Sequence, residues 1–107
     1  MDIIKKHIFQ IQSLCDEHNV ENLYVFGSVA KNNYNSKSDV DVLVEFARVE
    51  PLEYFDNYLS FKSALESIFA KTVDLVEVQT ISNPVLKKSI ERDKVKIYGR
   101  KDSKVAI

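Results

Sequence analysis

Two aspartates one residue apart, Asp39 and Asp41, are the side chains of this sequence best placed to do chemistry. Residues i and i+2 of a strand point to the same face, and Val40 to Phe46 reads as a strand rich in β-branched residues, so the two carboxylates stand side by side. Aspartate is depleted in strands, and parallel carboxylates repel unless a cation lies between them. Hard oxygen ligands at this spacing suit magnesium, which commonly takes one or two carboxylates plus phosphate oxygens and waters. An exposed strand start with Ser38-Asp39 closing a turn would show the same letters, so the pair needs support from elsewhere.

Twelve residues earlier, Leu23 to Phe26 forms a short apolar strand that stops at Gly27-Ser28. A helical turn after such a strand exposes unpaired backbone N–H groups and a partial positive charge, which together favour phosphate. Glycine at the entry permits positive φ and close approach of a ligand, and serine can bond a phosphate oxygen or cap the helix. The chain has only two glycines, so one placed here answers a specific backbone need. Taken alone, Gly-Ser equally describes an ordinary strand-to-helix turn.

Asp74 is the third element. It interrupts the apolar run Val73-Asp74-Leu75-Val76, where a carboxylate is costly unless paired, metal-bound or facing solvent. If this third strand lies beside the second, Asp74 joins Asp39 and Asp41 in one acidic cluster and can act as general base toward an acceptor hydroxyl. Glu77, three residues on, falls on the opposite face of the strand and is left out of the site.

The elements that must position these residues follow from periodicity. Ile4, Ile8, Ile11 and Cys15 recur at helical spacing over about residues 2 to 18, which makes Cys15 a small buried hydrophobe. His7 and His18 have no partner pattern and read as solvated or hydrogen-bonded. A loop is expected at Asn32 to Ser36. Pro51 opens a long helix whose stripe of Tyr54, Tyr58, Phe61, Leu65 and Phe69 is core rather than a ligand box. Thr72 to Val78 is the third strand, Asn83-Pro84 starts a shorter helix through about Arg92, and Val95 to Tyr98 is a final short strand stopped by Gly99. The order predicts an α/β (α+β) fold, a small sheet flanked by helices, with residues 1–107 as a single domain.

Composition narrows the class further. No apolar run approaches the ~20 residues needed to cross a bilayer, and the first six residues lack the apolar core and cleavage site of a signal peptide. One cysteine excludes an intramolecular disulfide and fits a reducing cytoplasm. Zinc is not expected from one Cys and two scattered His. Residues 87 to 104 carry a net +5 against −6 for the remainder. Such a tail can meet nucleic acid or an acidic surface, although a solvated terminal helix is the plainer reading and direct nucleic-acid binding is not favoured.

With Gly27-Ser28, Asp39-x-Asp41 and Asp74 assembled, the chain resembles the minimal nucleotidyltransferases of the DNA polymerase beta-like superfamily, in particular the small antitoxins paired with HEPN-domain toxins. The resemblance covers nearly the whole chain. It implies that Gly27 and Ser28 hold a triphosphate, with Lys31 and Ser38 also contacting the nucleotide, and that Asp39, Asp41 and Asp74 are the catalytic, metal-binding carboxylates. The family commonly continues Gly-Ser with alanine, arginine and a second glycine. Ala30 matches, whereas Lys31 keeps the charge without bidentate phosphate geometry and Asn32 tolerates the left-handed conformation of the missing glycine.

The resemblance further implies transfer of AMP from ATP to a hydroxyl with release of diphosphate, aided by two magnesium ions. The implied acceptor is a tyrosine of the partner HEPN toxin, an RNase. A chain of 107 residues has no second domain to wall a base or present an acceptor, and a partner protein would supply that wall. The chain has no arginine followed four to six residues later by histidine, the toxin's own signature, so it is not the toxin. Two other readings stay open: a non-catalytic binding antitoxin of the same fold, and a nucleotidyltransferase acting on a small molecule or an RNA end.

Overall fold

A computed structural model describes residues 2–27, 39–47 and 49–99. Two helices, α1 (Asp2–Lys6) and α2 (Ile8–Glu17), lead into strand β1 (Val20–Phe26). Strand β2 (Val40–Phe46), helix α3 (Pro51–Phe69) and strand β3 (Val73–Glu77) follow. A 3-10 turn at Val78–Thr80, helix α4 (Pro84–Asp93) and strand β4 (Val95–Gly99) complete the order. The strands form one mixed sheet in the order β3-β2-β1-β4. β1 runs antiparallel to both β2 and β4, while β2 and β3 are parallel.

Parallel neighbours need a crossover, and α3 provides it. Pro51 occupies the first turn, where its missing N–H costs nothing, and Ala70 ends the helix in the left-handed region at φ 55°. Phe61, Leu65 and Phe69 of the expected stripe are buried, while Tyr54 and Tyr58 are half-buried at its N-terminal end. The stripe packs with Val40, Val42 and Val44 of β2 and Val73 and Leu75 of β3 in a single core that also takes in Ile4, Ile11, Cys15, Leu23 and Val25. Alternation along β2 and β3 sends their other residues to the opposite face of the sheet. On that face α4 carries the buried Ile90, and Asn83 caps the helix by accepting from the Val85 and Leu86 N–H groups at 2.9 and 3.3 Å.

The expected helix over residues 2 to 18 is in fact two helices. The His7 N–H bonds to the Ile4 carbonyl at 3.1 Å, a three-residue closure that interrupts the four-residue ladder. The apolar phase survives the break, since Ile4, Ile11 and Cys15 all remain buried. Both ring nitrogens of His18 are engaged, Nδ1 donating to the Leu14 carbonyl at 2.8 Å and Nε2 lying 3.0 Å from the Ser60 hydroxyl. His18 therefore joins α2 to α3. It is a structural histidine, as the sequence suggested. The loop expected at residues 32–36 lies outside the described residues.

Candidate active site

Register brings the carboxylates together. Asp41 of β2 is the ladder partner of Asp74 in β3 and of Phe26 in β1. The two aspartates thus occupy neighbouring positions on the face opposite α3, at the end of the sheet where β1 finishes. Asp39, exposed, immediately precedes β2. Gly27 follows Phe26 directly, which places the glycine against Asp41.

Gly27 meets Asp41 closely. Its φ is +69°, and a Cβ built on it would lie 2.3 Å from Asp41 Oδ2. An L-residue would be strained by the backbone and would also displace the carboxylate. The glycine expected on sequence grounds therefore has two reasons to be one. Ser28, Lys31 and Ser38 lie outside the described residues.

The electrostatics follow from this arrangement. The Asp41 carboxyl is held above its ordinary value of 3.8, first by burial, then by the charge of Asp74, then by that of Asp39. A half-buried carboxylate with two others beside it suits a cation. Among the described residues no three His, Cys, Asp or Glu side chains form a group that could hold a metal ion by themselves. Magnesium seldom requires such a cage: it is usually held by one or two carboxylates together with substrate phosphate oxygens and water. Half-buried Asp41 and exposed Asp74 fit that shared kind of site.

On its other face β3 presents Glu77, buried, whose Oε2 accepts the Tyr54 hydroxyl at 2.8 Å. Tyr58 donates its hydroxyl to the Leu75 carbonyl. Burial raises both phenols above their ordinary range, aided by Glu77 and, for Tyr58, more strongly by Asp74. Excluding Glu77 from the site on strand parity agrees with its position.

Sequence reasoning missed an exposed apolar stripe on α3. Leu52, Phe55 and Leu59 are 96%, 65% and 44% exposed, and their i, i+3, i+7 spacing was the available signal. It also missed a cleft between α4 and the sheet that begins at Leu43, two residues beyond Asp41.

A four-stranded mixed sheet with a glycine turn facing aspartates on two adjacent strands fits a nucleotidyltransferase. The family model for polymerase beta nucleotidyltransferases matches residues 9–103. The chain belongs to that family. A Methanocaldococcus jannaschii protein named as a candidate protein adenylyltransferase is 37% identical over 86% of this chain and 88% of its own length. The solved structure of a candidate minimal nucleotidyltransferase is 29% identical, with a TM-score of 0.73 over 88% of this chain and 92% of that one. The same fold recurs in the complex of a tri-AMPylated Shewanella oneidensis HEPN toxin with its MNT antitoxin, at a TM-score of 0.62 and 18% identity over 95% of this chain and 77% of that one.

Proposed function

We propose that this chain is a cytoplasmic, magnesium-dependent protein adenylyltransferase that moves AMP from ATP onto a hydroxyl, a tyrosine of a partner HEPN RNase, and so acts as its antitoxin. The observation that carries the reading is the register of Asp41 with Asp74, with Gly27 pressed against Asp41. The name of the 37% identical relative supports the reaction class, and the AMPylated toxin bound to a similarly folded antitoxin supports the partner.

In this reading Asp39, Asp41 and Asp74 hold magnesium, which when bound supplies positive charge to the phosphates and the leaving group. Gly27 and Ser28 cradle the triphosphate through backbone N–H groups, with Lys31 and Ser38 alongside. Asp74, exposed on the edge strand, takes the proton of the acceptor hydroxyl. The hydroxyl oxygen bonds to the α-phosphorus, the bond from that phosphorus to the diphosphate breaks, and AMP-protein and diphosphate result. The exposed Leu52, Phe55 and Leu59 stripe supports a protein as the acceptor, because solvent-facing apolar residues in a row commonly mark a contact surface.

The test is transfer of label from the α-phosphate of ATP to a purified HEPN-domain protein that binds this chain. We expect magnesium-dependent labelling that an acceptor-tyrosine substitution removes. Labelling from the γ-phosphate instead, or none with a partner that binds, would overturn the assignment.

A further inference from the structure

A second concave surface lies on the α3 side of β3, away from the carboxylate row. Between the N-terminal half of α3 and β3 is a pocket of about 350 Å³, within the usual size of a ligand site. Tyr54, Phe55 and Tyr58 of α3 line it together with Leu75, Glu77 and Thr80. The Tyr54 and Tyr58 hydroxyls are already engaged by Glu77 and by the Leu75 carbonyl, and the Tyr54 ring packs edge-on to Phe46 with 5.7 Å between centroids. The aromatic wall is therefore fixed before anything binds. Glu77 is only 8% exposed, and its two oxygens are unequally served. Oε2 accepts the Tyr54 hydroxyl at 2.8 Å, whereas Oε1 has the Gln79 N–H at 3.4 Å, long for a hydrogen bond. A carboxylate has about four acceptor positions, so Oε1 keeps capacity to spare. Among the described residues no lysine or arginine lines the pocket.

We propose that this pocket receives an arginine side chain of a partner protein, its guanidinium meeting Glu77 among the rings of Tyr54, Phe55 and Tyr58. A guanidinium is planar, weakly hydrated and purely a donor, so it suits aromatic surface and a carboxylate at once. An ammonium is more strongly hydrated and loses more on entering such surroundings. Thr80 Oγ1 donates to the Glu77 carbonyl at 2.8 Å and retains acceptor capacity for a further N–H. Exposed Glu53 and Asp56 on α3 add negative charge, which attracts a basic partner and disfavours a second copy docking through the same face. Phe55 belongs both to the pocket and to the exposed stripe with Leu52 and Leu59, so a protein covering the stripe can place a side chain in the pocket. Arginine is enriched among such anchors. The pocket lies across the sheet from Asp41 and Asp74, and at saturating partner the transfer step is untouched.

The probes are N-acetyl-arginine amide, its uncharged isostere N-acetyl-citrulline amide, and spermidine. Each is titrated into the whole chain while the ring resonances of Tyr54, Phe55 and Tyr58 are followed by NMR. None contains a nucleotide, so the outcome is independent of the AMP-transfer reading. The arginine amide should shift those resonances saturably, with the citrulline amide about tenfold weaker and spermidine weaker than the arginine amide. Glu77→Gln should weaken the arginine amide about tenfold. Phe55→Ala, at a position 65% exposed where truncation does not threaten folding, should weaken it about threefold and decides the matter if Glu77→Gln does not fold. Equal response to the citrulline amide, saturation by spermidine but not by the arginine amide, or undiminished binding in Phe55→Ala overturns the proposal. So does the absence of any saturable shift.

Discussion

On one face of β3, Asp74 stands exposed beside Asp41, and on the other Glu77 is buried and bonded to Tyr54. The buried carboxylate has its partners: Tyr54 donates to one oxygen, and the Gln79 N–H reaches the other at 3.4 Å. Burial of an acid is tolerated when hydrogen bonds replace water, so Glu77 reads as a structural brace between α3 and β3. The cluster around Asp41 is the reverse. Burial first, and then the charges of Asp74 and Asp39, disfavour the ionisation of Asp41, and a glycine in a left-handed conformation leaves room for it. Under the proposed function, a bound cation would relieve this crowding.

The comparison can be broken at four points. The largest effect is expected for Asp41→Asn, which should cut AMP transfer by about a thousandfold or more, the scale of losing several kcal/mol of charge stabilisation, as measured by label transfer from ATP. Gly27→Ala comes next. Its backbone should cost about 1–2 kcal/mol of stability, and displacement of Asp41 should lower transfer about a hundredfold, read by thermal melt and by kinetics.

Tyr54→Phe tests the other face. It leaves the Glu77 carboxylate short of a donor, at a cost of about 1–3 kcal/mol, or a drop in Tm of about 4–8 °C per kcal/mol, with affinity for magnesium-ATP unchanged. The smallest effect is a gain. The folded-state pKa of Asp41 is raised, so the native state binds the proton more tightly than the unfolded chain does. That contribution is full below the ordinary value of 3.8 and is lost as pH rises through the raised folded value. Asp41→Asn should therefore raise Tm at neutral pH by roughly 1–4 °C, the size of a partly screened charge effect. The gain should vanish in acid below the ordinary aspartate range, and melts across pH would show it.

Much of this contrast was legible in the sequence because strand parity is a strict rule. The i and i+2 spacing of Asp39 and Asp41, and the three-residue gap from Asp74 to Glu77, fix which acids can share a face before any pairing is known. What parity cannot supply is register. That Asp41 pairs with Asp74 depends on where α3 returns the chain, and a shift of one residue would have sent Asp74 to the core face. The α3 helix itself was clear from Pro51 and its apolar stripe, yet the second stripe of Leu52, Phe55 and Leu59 was hidden because one helix can show only one obvious apolar face at a time. The break at His7 was invisible, since neither proline nor glycine marks it. The α4 cleft depends on which face of the sheet that helix covers, a tertiary choice to which the short, polar-rich segment from Pro84 to Asp93 gives little local clue.

The most direct test sets the two faces of β3 against each other in one assay, with Asp74→Asn and Glu77→Gln measured side by side for magnesium-dependent AMP transfer and for Tm. The account predicts that Asp74→Asn stops transfer without lowering its melting temperature, and that Glu77→Gln keeps transfer while melting lower. Full transfer by Asp74→Asn, or loss of transfer confined to a well-folded Glu77→Gln, would contradict it.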